Sequence, residues 1–524
     1  MLARLLLAVA GGLALTISFE PIAIAYFVPI SLAAFALATR ELPFWRSGLV
    51  GLVFGVVFYF THIDWMRTSI GPDAWMALSA IEAVFYGLVG LAVPLLRRLP
   101  AWPVWLAATW TAAESLRSGW PFSGMPWGRI SFAAVDTPVA PALAYVGMTG
   151  LSFLLALTGF LLAAAVETWL PGSERTSRRT RYLALGGAVA VLAALLLPVV
   201  APYETEETGS AVVAAVQGDV PGPGNDILYD HRGVTRNHVD ATVQLAADGG
   251  ARPDFVLWPE NSTAVDPFVD IDVNAGIREA VTAIGVPVVV GGLVDDGPDH
   301  VLNQGIVWDP ETGPGDRYTK QHPVPYGEYI PFRRYWDPDF GALQQIGRDM
   351  KSGTRTSPIR VAGIKIADAI CFDVAYDDVA REQLQAGAEL MTVQTSNASF
   401  IFTDQIDQQF AITRLRAIES GRWLVVAATN GITGVIAPDG TVVASADPRT
   451  TAVIVEQVGL STELTPAIRL GVWPSRVFTA VALLGLVLGG VAYRRQRDPG
   501  ALDRAVDDPS EPETSRSPSE APVG

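Results

Sequence analysis

A chain of 524 residues is too long for a single core and has room for two or three domains. Half of it is apolar and only 17% is charged, with a mean hydropathy of +0.31; soluble globular proteins are about a quarter charged, so the deficit points to a membrane. A net charge of −16 argues against a nucleic-acid partner, because nothing would neutralise phosphates, and one cysteine with five scattered histidines gives neither a disulfide nor a metal-ligand cluster, so no metal or other cofactor is expected.

A membrane-crossing helix needs about 20 mostly apolar residues. Such runs fill the N-terminal part of the chain at 5–19, 21–38, 48–59, 75–96, 102–116, 146–166 and 182–200. The 48–59 and 102–116 runs are short and need their flanks to span. The first has the basic Arg4 of a secretory signal but no small-residue cleavage site before the next run, so it reads as a span. Glu114 and Arg117 interrupt the fifth run three residues apart, on one helix face, where they can pair. They read either as an interfacial pair or as the polar wall of a lipid-headgroup site. Glu82 in the fourth run raises the same question, and Trp127 of Gly124-Met125-Pro126-Trp127 suits an interface.

From about residue 209 to 465 short β-rich runs alternate with helical ones, which argues for a layered α/β or α+β domain. Strands are expected at 211–216, 255–258, 286–290, 306–308, 364–370, 390–394, 423–428, 434–437 and 442–444, the last two joined at Pro438-Asp439-Gly440. Helices are expected at 231–247, 273–284, 378–386 and 404–420.

Three segments place a reactive side chain just after a β run. The 255–258 strand ends at Pro259, which holds Glu260 at a sheet rim. The stretch from Tyr318 to Pro331, stiffened by prolines, carries Lys320, His322 and Glu328. The 364–370 strand delivers Cys371 to a sharp connection, where a helix N-terminus and a neighbouring cation would activate a thiol. Taken singly, each reads as well as a loop carboxylate, a surface lysine and an inert buried cysteine.

A final apolar run covers 477–493, and the tail 498–524, rich in Pro, Ser, Asp and Glu, has too little apolar surface to fold and is expected to be disordered in the cytoplasm. With the N-terminus inside and eight spans counted, Arg40 and Arg46, Arg97 and Arg98, the Arg175–Arg181 cluster and Arg494, Arg495 and Arg497 all fall on the cytoplasmic side. This divides the chain into a seven-helix membrane domain (1–203), an extracytoplasmic catalytic domain (204–470), a closing transmembrane helix (471–497) and the tail (498–524), with both termini cytoplasmic.

Glu260, Lys320 and Cys371, in this order, resemble the Glu–Lys–Cys set of the nitrilase superfamily. The fuller resemblance, over roughly residues 5–493, is to the apolipoprotein N-acyltransferases of bacterial cell membranes. It rests on Trp258-Pro259-Glu260, Tyr318-x-Lys320, the Pro325-to-Pro331 segment containing Glu328, and Cys371-Phe372-Asp373. Arg414-x-Arg416-Ala417-x-Glu419-x-Gly421-Arg422, Glu114-x-x-Arg117 and Pro126-Trp127 add to it. The chain departs from the family in carrying Asp373 where Glu is common, and Ser396-Asn397-Ala398-Ser399-Phe400 where many members have Trp.

The resemblance implies a multi-pass helical membrane domain joined to an α-β-β-α sandwich. It implies transfer of an acyl chain from a phospholipid, through a Cys371 thioester, to the α-amino group of a diacylglyceryl-cysteine on a lipoprotein, by a monomer in the bilayer. Glu260 would move protons, Lys320 would hold the oxyanion, Glu328 would position Lys320 or the donor, and Asp373 would order the loop behind the nucleophile. Asn303, Phe400, Glu114 and Arg117 are the candidate substrate contacts. Three rivals stay open: a membrane-anchored amidase, an idle scaffold for another membrane enzyme, and a hydrolase pairing Cys371 with His322.

Overall fold

The structure, a computed structural model, describes residues 1–169, 178–335, 343–344 and 346–497; the 498–524 tail lies outside the described residues. The N-terminal part is helical: α1 (Leu2–Thr16), α2 (Phe27–Ala38), α3 (Phe44–His62), α4 (Trp65–Ser69), α5 (Pro72–Leu96), α6 (Trp102–Arg117), α7 (Leu143–Glu167) and α8 (Arg178–Val200). The outer domain opens with β1 (Gly209–Gln217), α9 (His231–Ala247), β2 (Phe255–Leu257), α10 (Ile271–Ile284), β3 (Val288–Asp295), β4 (His300–Asp309), β5 (Gly313–Thr319) and β6 (Asp349–Met350). It continues through β7 (Ile359–Val361), β8 (Ile364–Ile370), α11 (Asp377–Gln385), β9 (Leu390–Thr395), α12 (Gln405–Ser420), β10 (Leu424–Ala428), β11 (Thr433–Ile436), β12 (Val442–Ala446) and β13 (Ala452–Leu460). The short α13 (Pro466–Leu470) leads into α14 (Trp473–Arg497).

Among the described residues, five helices are long and apolar enough to cross a membrane, those of α3, α5, α7, α8 and α14. The flanks of the short third run do extend it, to 19 residues. The first two runs yield the shorter apolar helices α1 and α2, and α6 stays at 16 residues. α3 and α5 cross through small residues: a Cβ on Gly51 would stand 2.4 Å from the Tyr86 carbonyl oxygen, so the two backbones touch only because no side chain intervenes. That crossing fixes α5, which forms one wall of the site.

In the outer domain the strands form two sheets, ordered β13-β1-β2-β3-β4-β5 with β6 beside β4, and β12-β11-β10-β9-β8-β7. The central pairs β1/β2, β2/β3, β8/β9 and β9/β10 are parallel, as strands joined by helical crossovers must be. Side chains alternate with the pleat. Val213, Ala215, Phe255, Leu257 and Val289 face the space between the sheets, while Ala214, Val216, Val256, Trp258 and Val290 pack under α9 and α10. α11 and α12 cover the second sheet, so the layers run α-β-β-α. The inter-sheet core is continuous with that of the membrane helices. The sequence expectation omits β5, β6, β7 and β13. β6 and β7 are two and three residues long, and β5 (GPGDRYT) has neither an apolar run nor alternation.

Candidate functional site

The site gathers the ends of three strands. β2 runs out through Trp258 and Pro259 to Glu260, and β5 and β8 each end one residue before Lys320 and Cys371. All three side chains are buried. Glu260 Oε1 accepts from Lys320 Nζ at 3.2 Å and from Asn303 Nδ2 at 2.7 Å, and its Oε2 accepts from the Ser396 amide at 2.7 Å. Lys320 Nζ also donates to Glu328 Oε1 at 2.6 Å, and Glu328 Oε2 takes the Val324 amide at 2.8 Å. Burial alone would lower the Lys320 ammonium, but Glu260 and Glu328 outweigh it and hold it well above its ordinary value. Lys320 is therefore a fixed cation.

Cys371 opens a 3-10 turn, Cys371–Ala375, with a left-handed backbone (φ 52°) that a non-glycine residue adopts only when its surroundings impose it. Asp373 supplies part of that constraint. Its carboxylate accepts from Tyr318 Oη and the His322 amide at 2.8 Å, and from the Gln321 and Ile370 amides at 3.3 Å. It thus grips the chain on both sides of Lys320 and ties it to the nucleophile turn. Burial, reinforced by the Glu260 carboxylate and opposed by Lys320, pushes the Cys371 thiol up. The expected activation by a helix N-terminus is not what is found: α11 starts only at Asp377, and burial outweighs the cation. A thiol so placed needs a base at the moment it attacks.

Cys371 also lies in the wall of a cavity of about 320 Å³. Its other walls are Trp65, Met66 and Ile70, the Asp73, Ala74, Ala77, Leu78, Ile81 and Glu82 face of α5, the Pro121–Met125 loop, Val324 to Tyr326, Leu343, Phe372, Phe400 and Gln405. The lining is overwhelmingly apolar and leads from the reactive sulfur down a membrane helix.

Of the candidate substrate contacts, Phe400 lines this cavity; Asn303, Glu114 and Arg117 do not. Asn303 instead orients Glu260. Glu114 and Arg117 do not pair with each other. Glu114 Oε1 accepts from Trp110 Nε1 and the Ile130 amide, both at 3.1 Å. Arg117 reaches Glu82 at 3.5 Å and the carbonyls of Met125 and Trp127 at 2.8 Å. Helix-surface spacing proposes a neighbour along α6, but both side chains are buried and turn to other partners, and the acidic groups that line the cavity are Asp73 and Glu82 of α5. Trp127 is buried within the protein, stacks on Phe372 and donates to Gln408 Oε1 at 2.7 Å. His322, for which the sequence offers no orienting partner, has one in Asp378 at 3.1 Å and lies flat on Tyr376, outside the cavity lining. Gln409, whose Oε1 is 3.9 Å from Cys371 Sγ, and the Ser396 amide went unread in the sequence; a glutamine inside a helix and a main-chain donor leave no motif.

Residues 11–161 match the family model described as the apolipoprotein N-acyltransferase N-terminal domain, and residues 212–463 match that of the carbon-nitrogen hydrolases. Among solved structures, an amidase from Nesterenkonia sp. aligns at 16% identity and TM-score 0.37, covering 51% of this chain and 94% of that one. The two family models define the class: an acyltransferase built on a carbon-nitrogen hydrolase fold and joined to apolar helices of membrane-spanning length. An apolipoprotein N-acyltransferase of Mycolicibacterium smegmatis is 38% identical over 508 residues, 93% of this chain and 83% of that protein. One from Ralstonia nicotianae is 30% identical over 514 residues, 94% and 93% of the two chains. The chain belongs to the apolipoprotein N-acyltransferase family, and its activity is lipoprotein N-acylation in a bacterial membrane.

Proposed function

We propose that the acyl donor is a membrane phospholipid and that the chain passes through a thioester on Cys371, with Glu260 and Lys320 completing the catalytic set. One observation carries this reading: the buried thiol beside the Glu260–Lys320 pair heads an apolar cavity lined by α5. In the first half-reaction Sγ attacks the ester carbonyl while Glu260 takes the thiol proton, and Lys320 meets the oxyanion. The intermediate collapses with cleavage of the ester C–O bond. Glu260 returns its proton to the departing oxygen, and a lysophospholipid leaves. In the second half-reaction the neutral α-amine of the diacylglyceryl-cysteine attacks the thioester, Glu260 takes a proton from the nitrogen, and the C–S bond breaks. The proton then goes back to the sulfur. Glu328 fixes Lys320, and Asp373 fixes the spacing between Lys320 and Cys371.

The same reading puts residues 204–470 outside the cytoplasmic membrane, between a seven-helix domain (1–203) and a closing helix (471–497), with both termini inside. Basic residues at Arg40, Arg97, Arg98 and Arg494 support that orientation.

The test uses purified enzyme and phospholipid without lipoprotein. The enzyme should gain the mass of one acyl chain, lose it to hydroxylamine, and release lysophospholipid in equal amount, while Cys371→Ala gains nothing. Acyl transfer that persists in Cys371→Ala, or a label on another residue, would sink the mechanism. Free fatty acid as the main product would make water the acceptor and the enzyme an amidase-like hydrolase.

A further inference from the structure

The turn that carries Cys371 is held not only by its own domain. Arg416 on α12 donates from Nε to the Val374 carbonyl at 2.8 Å and from Nη2 to the Ala375 carbonyl at 2.9 Å, so its guanidinium closes the far end of the turn. The same Nη2 lies 2.8 Å from Asp377 Oδ1. That carboxylate oxygen takes a second cation at 2.8 Å, Arg129 Nη1, which comes from the loop after α6. Arg129 is buried and braced by Nη2 on Thr149 Oγ1 of α7 at 3.0 Å. The loop touches the turn twice more. The Trp127 ring lies nearly parallel to that of Phe372, with centroids 5.4 Å apart, and the Gly124 carbonyl accepts Tyr376 Oη at 3.0 Å. Phe372, Tyr376 and Asp377 are thus all seated on one short stretch of the membrane half. Glu419, a partner of Arg416, reaches it as well, taking the Met148 amide at 2.9 Å beside the break in α7 at Gly147.

We propose that Trp127 and Arg129 of the membrane half are positioning residues for Cys371, acting through Phe372, Asp377 and Arg416. The outer sandwich supplies the reacting groups, but the strained turn is pinned on its other side by a loop of the membrane half. Asp373 sets the turn against Lys320; Trp127 and Arg129 keep it from rotating away from the cavity. A misplacement of about 1 Å at a reacting atom costs on the order of 10²-fold in rate, so a loop that never touches the acyl chain can still govern the chemical step. The proposal rests on Cys371 being the acylated nucleophile.

Two measurements on the full-length enzyme test it: single-turnover acylation of Cys371 from phospholipid, and alkylation of the same thiol by iodoacetamide, both read by intact mass. Arg129→Gln should slow acylation by about 10–100-fold with the half-saturating lipid concentration unchanged. It should speed alkylation, because a loosened turn admits water to the buried thiol. Arg129→Lys, which keeps a charge on Asp377, should recover part of both. Trp127→Leu should act in the same directions, and the double variant should be little worse than the worse single one, since both act on one turn. If Arg129→Gln does not accumulate as folded protein, Arg129→Lys and Trp127→Leu carry the comparison. Variants that melt with the wild type, acylate at its rate and alkylate at its rate overturn the proposal. A wild-type enzyme that never acylates Cys371 overturns the thioester reading instead, and the alkylation rates still decide whether the loop positions the thiol.

Discussion

Two regions of the outer domain bury polar groups equally deeply and compensate them in opposite ways. At the strand ends charge meets charge: Lys320 faces Glu260 and Glu328, and both Glu260 oxygens are bonded. Between the sheets, three residues before Cys371 on β8, Asp368 meets no cation. Its Oδ1 accepts from Thr392 Oγ1 at 2.7 Å, while its Oδ2 and the Gln394 Oε1 on β9 are buried without a partner among the described residues. Both orphan oxygens converge over Gly305 on β4, where a Cβ would lie 2.5 Å from one and 2.2 Å from the other. Two acceptors sharing one niche are best compensated by a proton, and burial pushes the Asp368 carboxyl up to about 7. The paired cluster keeps charges for chemistry. The interior removes one so that the sheets can close.

The comparison breaks most visibly at the paired end. Glu260→Gln removes the proton acceptor and leaves Lys320 with one carboxylate, and acyl transfer should become undetectable. Lys320→Met removes the oxyanion donor and should cost about 10²–10³ in rate. Melting temperatures taken beside the rates separate the causes. A Glu260→Gln enzyme that melts near wild type and still transfers acyl chains would remove the carboxylate from the mechanism.

The strand-end cluster was largely legible in the sequence and the interior pair was not, for a physical reason. Glu260 and Cys371 each follow an apolar β run, and Lys320 stands in a proline-stiffened loop, patterns local enough to read, although β5, which delivers Lys320, carries no such signal. Asn303 could be singled out as polar, but its work, orienting Glu260, depends on β3 standing between β2 and β4 in the sheet. Asp368 lies inside an apolar strand, where only the facing sheet shows that its neighbour is Gln394. Arg117 misled for the same reason: spacing along α6 points to Glu114, whereas the guanidinium turns across to Glu82 and to two loop carbonyls. β13 hid nothing; Ala452–Leu460 has the β-branched residues of a strand, yet its partner β1 lies at the opposite end of the domain sequence. Contacts distant in sequence are where reading by local pattern stops.

A smaller effect sharpens the comparison at Asp368. The folded carboxyl titrates near 7 and the unfolded one near 3.8. Between those values the native state holds a proton that the unfolded state has lost, so stability falls as pH rises from about 4 to about 7 and levels off above. Asp368→Asn supplies a permanent donor for Gln394 Oε1 and has no charge to suppress. It should flatten that part of the profile, and at pH 8 the variant should be the more stable protein by a few kcal/mol at most. Melting temperatures in detergent at pH 4.5 and 8 check this. A wild type and variant that differ equally at both pH values would mean that Asp368 carries no extra proton in the fold.

The smallest effect is expected at a third kind of pair, His322 with Asp378, at the edge of the domain. Both are partly exposed, at 18% and 38%. Burial opposes protonation of the imidazole, but the bonded Asp378 carboxylate outweighs it and raises its pKa. For a raised histidine the stabilisation is complete below the unfolded value of about 6.5 and disappears as pH climbs through the folded one. Solvent screening limits such a pair to about 1 kcal/mol or less. His322→Ala should therefore lower the melting temperature slightly at pH 5.5, lower it less at pH 9, and leave most of the acyl transfer in place, because the ring lies against Tyr376 and outside the cavity that opens on Cys371. The contrast with Glu260→Gln is the sharper half of the experiment. An inactive His322→Ala beside an active Glu260→Gln would make the imidazole–carboxylate pair the proton shuttle. The buried Glu260–Lys320 cluster would then be only a structural brace.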